Sequence, residues 1–122
     1  MIILTNAFSI NMLPREKVQP ELIPLTNEQA ISLAQRGVKN AIGHADTSAV
    51  VCNQLGIENN PQRLTVKLDN QTVLLVAQYV GPRLPEGTTV LPSGSKIEYW
   101  LVSTGGYSNQ TYRIIVQSGL LD

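Results

Sequence analysis

Thr72-Val73-Leu74-Leu75-Val76-Ala77-Gln78-Tyr79-Val80 is a run of β-branched, aliphatic and aromatic residues interrupted near its end by one amide. Turn residues Asp69-Asn70-Gln71 precede it and Gly81-Pro82 follow it. A run of this composition, bounded this way, predicts a strand buried on both faces and therefore central in a sheet. Immediately upstream, Arg63-Leu64-Thr65-Val66-Lys67-Leu68 alternates strictly. The alternation sets Arg63, Thr65 and Lys67 on one face and Leu64, Val66 and Leu68 on the other. With the turn between them, the two segments predict a β-hairpin. Downstream, Gly81-Pro82-Arg83-Leu84-Pro85-Glu86-Gly87 predicts a rigid loop at the end of the central strand, a good platform for functional side chains. The same loop also reads as a solvated turn in which Arg83 and Glu86 form a surface pair of little value.

Further strands are expected at Ile2-Ile3-Leu4, a short unbroken apolar run, and at 97–102 and 112–116, joined by a turn region over 105–109. Asn6, Ser9 and Asn11 follow the first strand. Such residues bond local backbone in Asx and Ser turns, and they equally suit the sugar or base edges of a ligand. The segment from Met12 to Pro24, with Pro14, Pro20 and Pro24, predicts an extended loop that can include an edge strand.

Thr26-Asn27-Glu28-Gln29 has the spacing of a capping box. A first helix is therefore expected from about 27 to Gln35 or Arg36, stopped by Gly37. A second is expected over Ala49–Leu55, capped by Asp46, Thr47 or Ser48 and stopped by Gly56. Two helices and roughly five strands predict an α/β (α+β) fold, a mixed sheet with helices packed on it.

The chain of 122 residues predicts a single domain over residues 1–122. Nine Lys and Arg balance nine Asp and Glu, so the chain lacks the global field with which non-specific binders gather duplex nucleic acid. Cys52 is the lone cysteine, which excludes an internal disulfide; its place on an apolar helix side predicts a core residue. No basic, apolar leader opens the sequence and no apolar run is long enough to span a bilayer, so no membrane partner and a cytoplasmic location are expected.

The chemistry narrows by elimination. One His and one Cys do not make a zinc site of the usual kind, and no metal or other cofactor is expected. Nucleophile-elbow, phosphate-loop and dinucleotide-binding motifs are all missing from the sequence. What remains is His44, just after Gly43 and just before the second helix, as a general acid or base, with Arg83, Glu86 and Arg63 as anion-binding and orienting groups. Taken alone, His44 reads as a surface histidine bonded to a carbonyl. The inventory suits cleavage of an RNA phosphodiester by its own 2′-hydroxyl, which needs positioning, charge stabilisation and a proton for the leaving 5′-oxygen.

Asn6-Ala7-Phe8-Ser9-Ile10-Asn11, Ile42-Gly43-His44, 63–68 and Arg83-Leu84-Pro85-Glu86-Gly87 occur in an order and spacing that resembles the viral ring nucleases. This is a small family from archaeal viruses, bacteriophages and bacteria. The resemblance covers roughly residues 2–103; the remainder looks like a C-terminal strand extension. It implies a homodimer that binds cyclic tetra-adenylate, the second messenger of type III CRISPR defence. The ring is cut without metal to linear di-adenylates ending in cyclic phosphate, an anti-CRISPR activity in viral members. The resemblance carries His44 as general acid, Arg83 and Glu86 as catalytic partners, and Asn6, Ser9, Asn11, Thr47, Arg63 and Gln78 as ligand contacts. The intervals from His44 to Thr47 and from Gln78 to Arg83 are each a residue longer than in the archaeal viral members. A binding module that sequesters a cyclic oligonucleotide or contacts DNA without chemistry is the alternative reading.

Overall fold

The computed structural model describes residues 1–104. The strand expected at 112–116 and the turn at 105–109 lie outside the described residues.

Five strands form one mixed sheet: β1 (Ile2–Thr5), β2 (Glu21–Leu25), β3 (Lys39–Asn40), β4 (Val73–Val80) and β5 (Lys96–Ser103), in the spatial order β2-β5-β4-β1-β3. β1 runs parallel to both β3 and β4, whereas β5 runs antiparallel to β4 and β2. The short apolar run of β1 and the long one of β4 both occupy interior positions, as their composition predicts. Side chains alternate from β1 and β4 into two separate cores. Leu4, Val73, Leu75 and Ala77 face one side, where Ala30, Leu33 and Ala34 of α1 (Asn27–Gln35) and Val50, Val51, Cys52 and Leu55 of α2 (Ala45–Leu55) pack on them. Ile3, Leu74, Val76 and Val102 face the other, where Phe8, Met12, Leu13, Val66 and Leu68 cover them. Both helices therefore lie on one side of the sheet, and irregular chain closes the opposite side.

Each end of α1 follows its sequence signal. Thr26 Oγ1 accepts from the Gln29 amide at 3.1 Å, and Gln29 Oε1 accepts from the Thr26 amide at 2.9 Å, a complete capping box. Gly37 takes a φ of 104° just past the C-terminus. Gly56 closes α2 in the left-handed conformation. β2 is the edge strand expected among the prolines, and Pro24 sits in it where a missing donor is tolerated.

Two expectations are corrected. Residues 63–68 form no strand, so no hairpin joins them to β4. β4 already has β1 on one edge and β5 on the other. The alternation of 63–68 is satisfied differently: Val66 and Leu68 pack down on the sheet face, Arg63, Thr65 and Lys67 stay exposed, and the Leu68 amide donates to the Met12 carbonyl at 2.7 Å. β3, only two residues long, takes the sheet position left open beside β1. The second correction concerns α2, which begins at Ala45, four residues earlier than expected, with His44 itself as N-cap. Ser48, one of the expected caps, is fully buried in the first turn. Among the described residues, no helix is long and apolar enough to cross a membrane.

Candidate active site

The three parallel strands β1, β3 and β4 end on the same edge of the sheet. From that edge leave the Asn6–Asn11 segment after β1, the Ala41–His44 segment after β3 and the Gly81–Gly87 loop after β4. Ligands of open α/β sheets bind beyond the carboxyl ends of such strands, where connections diverge. The topology thus delivers three of the four motif segments to the edge on which binding is expected.

β4 outruns β1. Its pairing with β1 stops at Val76, while pairing with β5 continues to Val80. The last residues of β4 therefore project as a two-stranded ribbon that carries the Gly81–Gly87 loop. That loop is tied down at its base: the Tyr79 hydroxyl donates to the Pro82 carbonyl at 2.6 Å and lies 2.9 Å from the Ser95 hydroxyl. Leu84 packs against the helix-side core. Farther along, the Thr88 amide donates to the Pro85 carbonyl at 3.1 Å and Gly87 takes a φ of 83°, the geometry of a turn that requires glycine at its third position.

His44 is held by its own helix. Nδ1 accepts from the Thr47 amide at 3.4 Å and lies at the same distance from the Thr47 hydroxyl. With Nδ1 as acceptor, the neutral ring carries its proton on Nε2. Upstream, the buried Asn40 fixes the approach to His44. Its Oδ1 accepts from the Ile42 amide at 3.0 Å, and its Nδ2 donates to Ser48 Oγ at 2.8 Å. Ser48 in turn donates to Asn59 Oδ1 at 2.6 Å, joining α2, β3 and the 56–62 segment through side chains. Burial pushes the neighbouring Cys52 thiol up from its ordinary value, which keeps it protonated and fits a packing role.

Of the residues singled out from the sequence, His44, Thr47, Arg83 and Glu86 line one cleft of about 580 Å³, together with Tyr79, Gly81, Leu84 and Pro85. Among the described residues, Arg83 and Glu86 have no ion-pair partner, so the surface pair expected between them does not form. Arg63 lies in a separate depression of about 570 Å³ whose lining includes Gly43 and Ala45, the residues flanking His44. Asn11 lines a third recess with Arg15, Glu16 and Lys67, and the Lys67 ammonium donates to the Asn11 carbonyl at 2.7 Å. Ser9 is used locally, capping a short 3-10 turn by accepting from the Asn11 amide at 3.3 Å. Asn6 is half-buried just after β1. Gln78 alternates with Tyr79 along β4 and so lies away from the His44 cleft, in a groove with Phe8, Leu22 and Trp100. The catalytic set is gathered with Thr47, while Arg63, Asn11 and Gln78 lie in three other depressions, Gln78 on the opposite face of the sheet.

Three residues outside the expected site set shape the site, one of which, Asp46, is expected from the sequence only as a helix cap. Tyr79 lines the cleft and braces the loop, Asn40 anchors the turn before His44, and Asp46 accepts a hydrogen bond from the loop through the Gly87 amide at 3.1 Å.

These features define an α+β sheet domain with a histidine-containing cleft at the carboxyl ends of its parallel strands. The chain belongs to the STIV B116-like family, whose model matches residues 2–99. It is similar in structure to B116 of Sulfolobus turreted icosahedral virus, at a TM-score of 0.69 and 29% sequence identity over 84% of this chain and 97% of that one. A search of curated proteins gave no match.

Proposed function

We propose that this protein is a metal-independent ring nuclease that binds cyclic tetra-adenylate and cuts it to linear di-adenylates bearing 2′,3′-cyclic phosphate. It would thereby switch off type III CRISPR signalling in the cytoplasm. The observation that carries the reading is the meeting of His44, Arg83 and Glu86, from two distant motifs, in one cleft. In this reaction the substrate's 2′-oxygen attacks phosphorus and the bond to the 5′-oxygen breaks. His44 gives its proton to the departing 5′-oxygen, Arg83 holds the phosphoryl oxygens, and Glu86 is the carboxylate in reach of the cleft to take the 2′-hydroxyl proton.

A homodimer completes the proposal. Each chain has one His44, whereas release of two di-adenylates needs two cuts. A two-fold axis through a symmetric ring would supply a His44 and an Arg83 to each of two opposite phosphodiesters. Arg63, in a depression lined by the two residues that flank His44, fits a ligand wider than the His44 cleft.

The test is incubation of purified protein with cyclic tri-, tetra- and hexa-adenylate in EDTA, with products read by mass. Conversion of the tetramer to di-adenylate cyclic phosphate, abolished by His44→Ala, is expected. An intact ring overturns the proposal, and tight binding without products would make the chain a sequestering module instead.

A further inference from the structure

We infer that Asp46 is a positioning residue that holds Glu86 and its loop against the His44 cleft, an inference that rests on the ring-nuclease reading above. Asp46 stands in the first turn of α2, two residues after His44, and is half-buried. Its Oδ1 accepts the Gly87 amide at 3.1 Å, across a sequence separation of 41 residues. That amide belongs to the peptide unit joining Glu86 to Gly87, so the bond fixes the backbone plane from which the Glu86 side chain departs. Pro85 restricts the chain on the other side of Glu86, and the Thr88-to-Pro85 hydrogen bond closes the turn around it. Among the described residues, the other anchors of the loop lead elsewhere: Tyr79 to Pro82 within the ribbon, Leu84 to the core. The Asp46–Gly87 bond is the hydrogen bond that ties the loop to the helix carrying His44.

An acidic residue in the first turn of a helix also interacts favourably with the helix dipole, and that alone is a purely structural role. The two roles separate by substitution. Asp46→Asn keeps a short acceptor and loses the charge; Asp46→Glu keeps the charge and displaces the acceptor; Asp46→Ala loses both. Positioning predicts that Asp46→Ala lowers kcat for cyclic tetra-adenylate on the order of ten- to a hundredfold, the scale of a small misplacement of reacting groups. Asp46→Asn restores most of that loss and Asp46→Glu does not. A role confined to the helix dipole predicts the reverse order and overturns the inference.

Amide hydrogen exchange at Gly87 gives a second readout that requires no activity. Protection is expected in wild type and Asp46→Asn and lost in Asp46→Ala. Unchanged exchange in Asp46→Ala overturns the inference directly. If wild-type protein forms no product while Gly87 protection follows Asp46 as described, the ring-nuclease reading has failed, the clamp stands, and the catalytic role assigned to it falls with that reading.

Discussion

The Nδ1 atom of His44 lies 3.4 Å from both the amide nitrogen and the hydroxyl oxygen of Thr47. One imidazole thus caps a helix and faces the candidate cleft. The amide can only donate, so it suits the neutral ring; the hydroxyl can donate to Nδ1 or accept from it. Thr47 can therefore keep the ring oriented in both protonation states.

Two substitutions separate these duties. His44→Asn retains a strong N-cap side chain and removes the proton donor. It is expected to unfold in urea near the wild-type midpoint while cleavage of cyclic tetra-adenylate falls by about 10²–10⁴-fold, the usual worth of general acid catalysis. His44→Ala should show the same loss of rate and additionally a lowered urea midpoint, corresponding to a loss of about 1 kcal/mol in unfolding free energy for the missing cap.

Asn40 predicts a stability effect from a site with no ligand contact. Its buried amide satisfies the Ile42 amide and Ser48 Oγ. Asn40→Ala leaves the Ile42 amide without its partner, while Ser48 Oγ keeps its bond to Asn59. Urea denaturation should show a loss of about 1–3 kcal/mol, larger than for an exposed asparagine such as Asn11→Ala.

Gly81 is enclosed. A Cβ added there would come 2.5 Å from Ser95 Oγ, 2.9 Å from Ser95 Cβ and 2.9 Å from the Tyr79 hydroxyl. Gly81→Ala should therefore break the brace under the Arg83–Glu86 loop and destabilise by about 1–3 kcal/mol. In a Ser95→Gly background the same change should cost less, and a double-mutant cycle measures the difference.

Tyr99 sets an alkaline limit. Burial in the helix-side core pushes its phenol up to about 12. In the unfolded chain the phenol ionises near 10, so the unfolded state loses its proton first as pH rises. Tyr99 thus contributes stability that is fully present below about pH 10 and is lost as pH rises toward 12. Tyr99→Phe should flatten the fall of the urea midpoint between pH 9 and about pH 11, beyond the constant offset from the lost hydroxyl.

Local signals carried most of the architecture. The apolar runs of β1 and β4, the Thr26–Gln29 capping box and the glycines after each helix were all readable because each depends on chemistry within a few residues. The segment 63–68 misleads because an alternating pattern states which side chains need burial and is silent on whether a sheet edge is free to pair. His44 likewise misleads, since imidazole is an uncommon cap and Asp46, Thr47 and Ser48 just after it are better ones. At the site, His44, Arg83 and Glu86 were legible as chemical types, and Asp46 was not. Its significance is a contact with Gly87 that only the tertiary fold creates. Gln78 and Tyr79 show the remaining gap: adjacency in sequence, on a strand, sends their side chains to opposite faces.

The place of β1 has a consequence for how the chain is made. β1 sits between β3 and β4, and although it precedes both in the chain, its main neighbour begins only at Val73. Pairing across so long a stretch of chain is slow, because the loop must close before any contact stabilises it. Until β4 emerges, Ile2-Ile3-Leu4 has only the two residues of β3 to pair with, and the edge that β4 later covers stays open. During synthesis, therefore, the segment that later anchors the centre of the sheet is also the one most exposed to association with the wrong partner.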